Sequence, residues 1–420
     1  DMDKAVEAAH RAYRALEADT LETRTRIIEA MRTAARAEIP RISEMAVQET
    51  GLGRVDDKLK KNALVVNKTP GPDTIVLAAQ VYGVVRSWCN GGKRLDCGAL
   101  VITDDVTIQG SGAHVTRVEV PDNFVVASRI FEVTGDYTKP RIKVAFSGLR
   151  IRRGGGNQIY GGGMRVEHAE VTITDAILSE NSAGGGAAVG LGNDAWMTME
   201  RSAVMDNHVW GEGGAIDAAG TLLKLTNVTL SKNVADGATG GAIVNHGGVV
   251  QLNHVTAVDN LPGTLHSTAG NLATQAIFSI KNSVLVSAGN TNCTGTKFAG
   301  STHLFQAAYS LETGGACGFD HDPATVATNK WQQGQQGPVV GALVGSSWET
   351  PVPYYPLAPN SVAIDRADAN GGVAVDIRKK ARPQDGNGDG KALPDMGAFE
   401  AAPPIRLAPS VNVPLPLKKL

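Results

Sequence analysis

Between Val171 and Asn260 the apolar positions recur with a period that no single strand or helix produces. "VTITDAILSEN" ends at Asn181, "MTMERSAVMDN" at Asn207, "LKLTNVTLSKN" at Asn233 and "VQLNHVTAVDN" at Asn260, in steps of 26, 26 and 27 residues. Inside the four runs the same offsets stay apolar: Val171, Met197, Leu223 and Val250; then Ile173, Met199, Leu225 and Leu252; then Leu178, Val204, Leu230 and Ala257. Each unit therefore predicts two short strands with alternating faces. A unit of this length suits one rung of a parallel β-helix, about 4.8 Å above the last, so that equal offsets stack. Leucine-rich repeats need a helix or its equivalent and a leucine framework, and neither is present.

The asparagine column (Asn181, Asn207, Asn233, Asn260) then has a structural role. Its amides are expected to hydrogen-bond along the axis, and asparagine tolerates the left-handed conformation of a sharp rung corner. The pairs Gly162-Gly163, Gly185-Gly186, Gly213-Gly214 and Gly240-Gly241 precede strands and mark tight turns, with no long helix behind them to make a phosphate cradle. Weaker rungs at 100–112, 144–155 and 278–290 extend the array to roughly eight to ten.

The first 71 residues follow a different pattern. Ala5, Ala8, Ala12 and Leu16 recur at helical spacing, as do Ile27, Met31, Ala34 and Ala35. Pro40 fits the first turn of a further helix through Met45 to Thr50, closed by Gly51, and a last helix is expected from Val55 to Val66. This segment holds 25 charged residues and 3 glycines, against 57 and 46 in the other 349 residues. Two kinds of structure meet near residue 72. The expected organisation is a helical segment 1–71, a β-helix 72–310, a turn-rich module 311–402 and a Pro-rich tail 403–420.

A net charge of −2 gives no reason to expect nucleic acid or an anionic membrane as partner. No apolar run approaches the roughly 18 residues of a transmembrane helix, and the charged, amphipathic start is unlike a signal peptide. Cys89 with Cys97 and Cys293 with Cys317 are expected to form two local disulfides in an extracellular or cell-surface protein; four reduced thiols are the alternative. In "DGNGDG", Asp385, Asn387 and Asp389 alternate ahead of Gly390 as in a calcium loop, with Asp395 one place short of the closing ligand, so Ca²⁺ is the one expected cofactor.

"AVQETGLGRVDDKLKKN" resembles the N-terminal segment of CoA-acylating aldehyde dehydrogenases over about 68 residues. The dinucleotide-binding and catalytic-cysteine regions of that family do not follow, so neither NAD nor CoA is expected. A cap, an interaction arm or a fusion piece is the expected role.

From "GPDTIVL" to "PDMGAFE" the chain resembles secreted bacterial right-handed parallel β-helices of pectate-lyase-like architecture with a choice-of-anchor Q module. "SGLRIRRGG", the glycine-to-asparagine repeats, "NSVAIDRAD", "DIRKKARP" and "DMGAFE" carry that resemblance. One departure is Lys379, where relatives usually have glycine. The resemblance implies an extracellular protein for adhesion or glycan binding.

Parallel β-helices often degrade acidic polysaccharides, which keeps a lyase or hydrolase open. The pieces "DD" (104–105), "RIK" (141–143) and "HG" (246–247) stand in the wrong order for a polygalacturonase and read as chance. Candidate groove residues are Asp206, His208, Glu212, Asp217, Lys232, Asp236 and His254. Glu180, Asp206, Lys232 and Asp259 share one offset and should stack as a charged stripe, and Trp196 and Trp210 are candidate sugar platforms. Three functions are therefore expected in order: noncatalytic glycan binding or adhesion, polysaccharide cleavage, and a homo-oligomeric structural subunit that stacks into filaments.

Overall fold

The computed structural model describes residues 21–50, 55–56, 73–84, 99–121, 128–237, 240–268, 276–287, 291–295, 305–319, 328–331, 337–345 and 351–404. Two compact units result, residues 1–73 and 74–420.

In the first unit an α-helix, Leu21–Thr50, continues past Pro40. The expectation that Pro40 opens a new helix is corrected. Proline costs one intrahelical donor there, and the alanine, arginine and glutamate around it are strong enough helix formers to carry the helix through. Of the helix expected from Val55 to Val66, residues 55–56 are helical and the rest, like the helix expected at 5–16, lies outside the described residues.

The second unit is a parallel β-solenoid of about seven turns. One turn shows the plan. The long strand Trp196–Met205 bends at Arg201, the short strand His208–Val209 follows, and Ile216–Ala218 completes the turn before the next long strand, Leu222–Ser231. Stacked turns give three walls: a 17-stranded sheet folded along its bend, an eight-stranded sheet and a four-stranded sheet. Val171 pairs with Met197, Met197 with Leu223 and Leu223 with Val250. The other two apolar columns align the same way, and all twelve side chains are at most 1% exposed. Each of the larger ones contributes roughly 1.5–3 kcal/mol by burial, so repetition itself builds the core.

The asparagine amides run along the axis. Asn181 Nδ2 donates to Asn207 Oδ1 at 3.0 Å, Asn207 Nδ2 to Asn233 Oδ1 at 2.9 Å, and Asn233 Nδ2 to Asn260 Oδ1 at 2.9 Å. The same oxygens accept the backbone N–H of the preceding asparagine. The left-handed corner falls one residue earlier than the sequence suggested, on Glu180, Asp206, Lys232 and Asp259, with φ between 52° and 55°. The asparagine side chain must point inward to join its ladder, so the strained backbone passes to the exposed neighbour. The glycine pairs answer a second demand, close approach between turns. A Cβ on Gly241 would lie 2.3 Å from the Leu261 carbonyl oxygen.

Strand pairing continues beyond 310 through Leu311–Glu312 and Lys330–Trp331. The chain then crosses the outward face of the long sheet. Val339, Val340, Tyr355 and Met396 pack on Val258, Val284 and Leu311, while Val352, Ile377 and Ala398 pack with Ile177, Ala203 and Met205. The three motifs "NSVAIDRAD", "DIRKKARP" and "DMGAFE" interlock there. Asp376 accepts from Arg378 and from the Glu400 backbone, Arg382 pairs with Glu400, and Asp395 accepts the Asp365 N–H at 2.7 Å. Lys379 has φ 64°, a conformation that glycine adopts most readily, and its Nζ reaches Asp175 at 3.3 Å.

Candidate functional site

The strand Ile216–Ala218 turns Ile216 and Ala218 into the core, so alternation sends Asp217 outward. Asp217 is nevertheless only 3% exposed. It heads a column that continues through Val244, His266 and Thr294 on later turns, with Gly190 one turn before it. One oxygen, Oδ1, lies 3.4 Å from His246 Nε2. The other, Oδ2, is buried without a hydrogen-bond partner.

Glycine makes room for that carboxylate. A Cβ on Gly185 would stand 2.6 Å from Tyr160 Cε1 and 3.1 Å from Asp217 Oδ2, and one on Gly213 would stand 3.2 Å from the same oxygen. Tyr160 pairs with Gly185 across turns, which brings its ring edge and the carboxylate together above one bare backbone. Tyr160 is 54% exposed. Around this point His246 Nδ1 meets Thr268 Oγ1 at 2.8 Å and His266 Nδ1 meets Thr294 Oγ1 at 2.7 Å, while Glu212 is exposed.

Asp217 and Glu212 give the corner negative charge, while Arg129 donates to the Tyr160 and Gly161 carbonyls on its flank. Asp217 raises the pKa of His246 by hydrogen bonding, against the opposing effect of burial. Burial lowers that of His266, with the charge of His246 adding to it. The Tyr160 hydroxyl is pushed up by burial and then by the charges of Asp217 and Glu212. On the same turn as Asp217, His208 meets the Trp210 ring edge-on at 4.1 Å between centroids, and its Nε2 lies 3.0 Å from Asp236 Oδ1. Trp210 is 51% exposed.

The corner thus gathers Glu212 and Asp217 from the expected set and adds Tyr160, His246 and His266, which sequence reasoning missed, while His208, Trp210 and Asp236 stand together on the four-stranded wall. The dismissed "HG" pair holds His246. A usable signal was the offset shared by Asp217 and His266, which lie two turns apart in one outward column with Val244 between them.

Other candidates lie elsewhere. His254 lies away from that corner, in the wall of a cleft of about 260 Å³ with Asp368 and Arg382: it is 1% exposed, its Nδ1 lies 3.1 Å from the Asp395 carbonyl oxygen, and burial followed by the charge of Arg382 drives its pKa to about 3. The C-terminal crossing covers it. Trp196 sits beneath the Arg141 guanidinium, 4.0 Å from the ring centroid, and Arg141 also pairs with Asp194. Asp206, Lys232 and Asp259 are exposed on successive turns at one corner. Lys232 and Asp259 line a cleft of about 560 Å³ with Val339–Leu343 and Tyr355. Glu180 is held by Arg152 at 2.7 Å, Arg150 at 3.2 Å and Arg153 at 3.3 Å. Burial is the largest single influence on it and raises its pKa, but the arginines together outweigh it and keep the carboxyl low.

The "DGNGDG" turn is closed by its own amides. Asp385 accepts the N–H groups of Gly388, Asp389 and Gly390 at 2.7, 3.1 and 2.9 Å, and Asn387 accepts that of Asp389 at 2.8 Å. Asp395 stands apart from them, buried against Asp365 and Ala401. Among the described residues no three His, Cys, Asp or Glu side chains gather as a metal site. Cys293 and Cys317 form a disulfide with Cα atoms 4.8 Å apart; Cys89 and Cys97 lie outside the described residues.

No family model matches the chain. A short N-terminal stretch is similar to acylating dehydrogenases. It is 39% identical over 74 residues to an acetaldehyde dehydrogenase (acetylating) of Bilophila wadsworthia, covering 18% of this chain and 15% of that protein. It is 40% identical over 74 residues to the acetaldehyde dehydrogenase EutE of Salmonella typhimurium, again 18% and 15%. A propanal dehydrogenase (CoA-propanoylating) of the same organism is 33% identical over 78 residues, 19% of this chain and 17% of its own. The chain spans about 15–17% of the length of these relatives. Among solved structures, pectate lyase Pel9A superposes over 81% of this chain and 90% of its own at a TM-score of 0.36 and 16% identity.

Proposed function

We propose that this β-solenoid binds carbohydrate at the corner formed by Tyr160, Glu212, Asp217 and His246. The observation that supports this most is the meeting of the Tyr160 ring edge and the free Asp217 oxygen over Gly185. Sugars present apolar C–H faces and a fringe of hydroxyl donors, and an exposed ring beside an unsatisfied acceptor matches both. Trp210, half exposed and two residues before Glu212, offers a second ring on the same turn. The disulfide Cys293–Cys317 favours an oxidising, extracytoplasmic location, where glycans are met.

Cleavage is the second reading, and the pairing of Asp217 with His246 is what favours it. A buried carboxylate beside a histidine of raised pKa is an arrangement that moves protons. Incubating the full chain with a panel of insoluble polysaccharides, while measuring both co-sedimentation and new reducing ends, separates the two. Retention on one polymer without new ends supports binding. New ends that vanish in Asp217→Asn transfer the site to hydrolysis, and neither signal on any polymer retires both.

A further inference from the structure

Resting on the carbohydrate reading, we propose that the sugar taken by this corner carries a protonated primary amine, as in a glucosamine-containing, deacetylated polysaccharide. Asp217 Oδ2 is the group that such an amine would complete. A buried carboxylate oxygen with no partner costs free energy, and natural proteins keep such groups where a ligand, ion or water completes them.

The charge of the surroundings selects the completing group. Among the described residues neither Asp217 nor Glu212 has a lysine or arginine within ion-pairing distance, and Asp217 meets only His246. An acidic sugar would add negative charge to an acidic corner, so the expected acidic polysaccharide does not suit this site. A neutral sugar would leave His246 as the one cationic partner shared by Asp217 and Glu212. A metal ion would need several converging ligands, and none converge among the described residues. An ammonium group supplies positive charge and up to three N–H donors, and it is attracted to an aromatic face such as that of Tyr160. The Tyr160 ring, over half exposed, is the neighbour that can turn aside to admit it, whereas Gly185 and Gly213 are fixed in the wall. Glu212, exposed beside it, extends the negative field to a neighbouring residue of the same polymer.

The test compares retention of the full chain at pH 6 on chitosan and on fully N-acetylated chitin particles of equal load. Retention on chitosan is expected to exceed that on chitin at least tenfold, and to be lost in Asp217→Asn. Gly185→Ala is the second variant. Its new methyl displaces the exposed Tyr160 ring and crowds Oδ2, so binding should fall while the thermal midpoint changes little. Asp389→Asn removes an exposed carboxylate from a different part of the chain and should bind normally; if it lost binding as Asp217→Asn does, chitosan would merely be reading net charge and the proposal would be overturned. Equal retention on both polymers that is lost in Asp217→Asn would overturn the amine while leaving the carbohydrate site standing, and retention indifferent to Asp217→Asn would overturn both. Retention on neither of these or any other polymer would remove both.

Discussion

Arg382 and Glu400 form an ion pair with both side chains out of water, 1% and 0% exposed, and 2.8 Å between Nη1 and Oε2. Arg382 also donates to the carbonyls of Asp395 and Gly397, and Glu400 accepts the N–H groups of Gln384 and Asp395. This pair fastens the C-terminal crossing to itself at the point where it covers the long sheet. Removing one partner leaves a buried charge, which typically costs about 3–5 kcal/mol. Glu400→Gln and Arg382→Ala should each lower the urea midpoint by a corresponding amount. A loss below about 1 kcal/mol in both, within the range of an exposed pair, would mean the crossing is held by its apolar contacts alone.

Asp395 gives the same region a pH dependence. Burial, and then the charge of Glu400, raise its pKa from the usual carboxylate range to about 7. A carboxyl raised in the folded state binds more protons folded than unfolded between about pH 4 and 7, so its contribution is complete below pH 4 and fades as pH rises through 7. The slope is at most about 1.4 kcal/mol per pH unit for one group. Thermal midpoints should therefore fall between about pH 4 and 7, and Asp395→Asn, which fixes the neutral form, should flatten that fall. Glu180 and Asp194 are lowered, so they act in the opposite sense and only below about pH 4.

The asparagine ladder supports the solenoid along its axis. Asn207→Ala removes the acceptor of two Asn181 donors and the donor to Asn233, all buried. Each orphaned buried group costs about 1–3 kcal/mol, so a loss of roughly 3 kcal/mol or more is expected in equilibrium unfolding. A loss under 1 kcal/mol would assign the axial cohesion to the apolar columns.

The solenoid was legible in the sequence because its core repeats. Met197, Leu223 and Val250 share an offset, share a fate, and so print their period on the chain. The corner was half legible. Glu212, Asp217 and His208 could be picked out as polar residues near a turn, but Tyr160 could not. It lies 57 positions before Asp217 and meets it only because Gly185, on the intervening turn, has no side chain to separate them. His254 was half legible for the converse reason: it lines a cleft with Asp368 and Arg382, but the segment that forms that cleft and buries it arrives more than 100 residues later. Left-handed φ on Asp206 and Lys232 was assigned to the asparagines beside them, since residue preference marks that corner only to within a position.

The most direct test of the carbohydrate corner is hydroxyl-radical footprinting of the full chain, with and without a mixture of glucosamine and N-acetylglucosamine hexamers. Trp196, at 40% exposure, serves as the internal reference because Arg141 already covers its ring and it lies at another corner of the turn. The corner account predicts reduced oxidation of Tyr160 and Trp210 with Trp196 unchanged. Unaltered labelling of Tyr160 and Trp210 while the sugars are bound would contradict it.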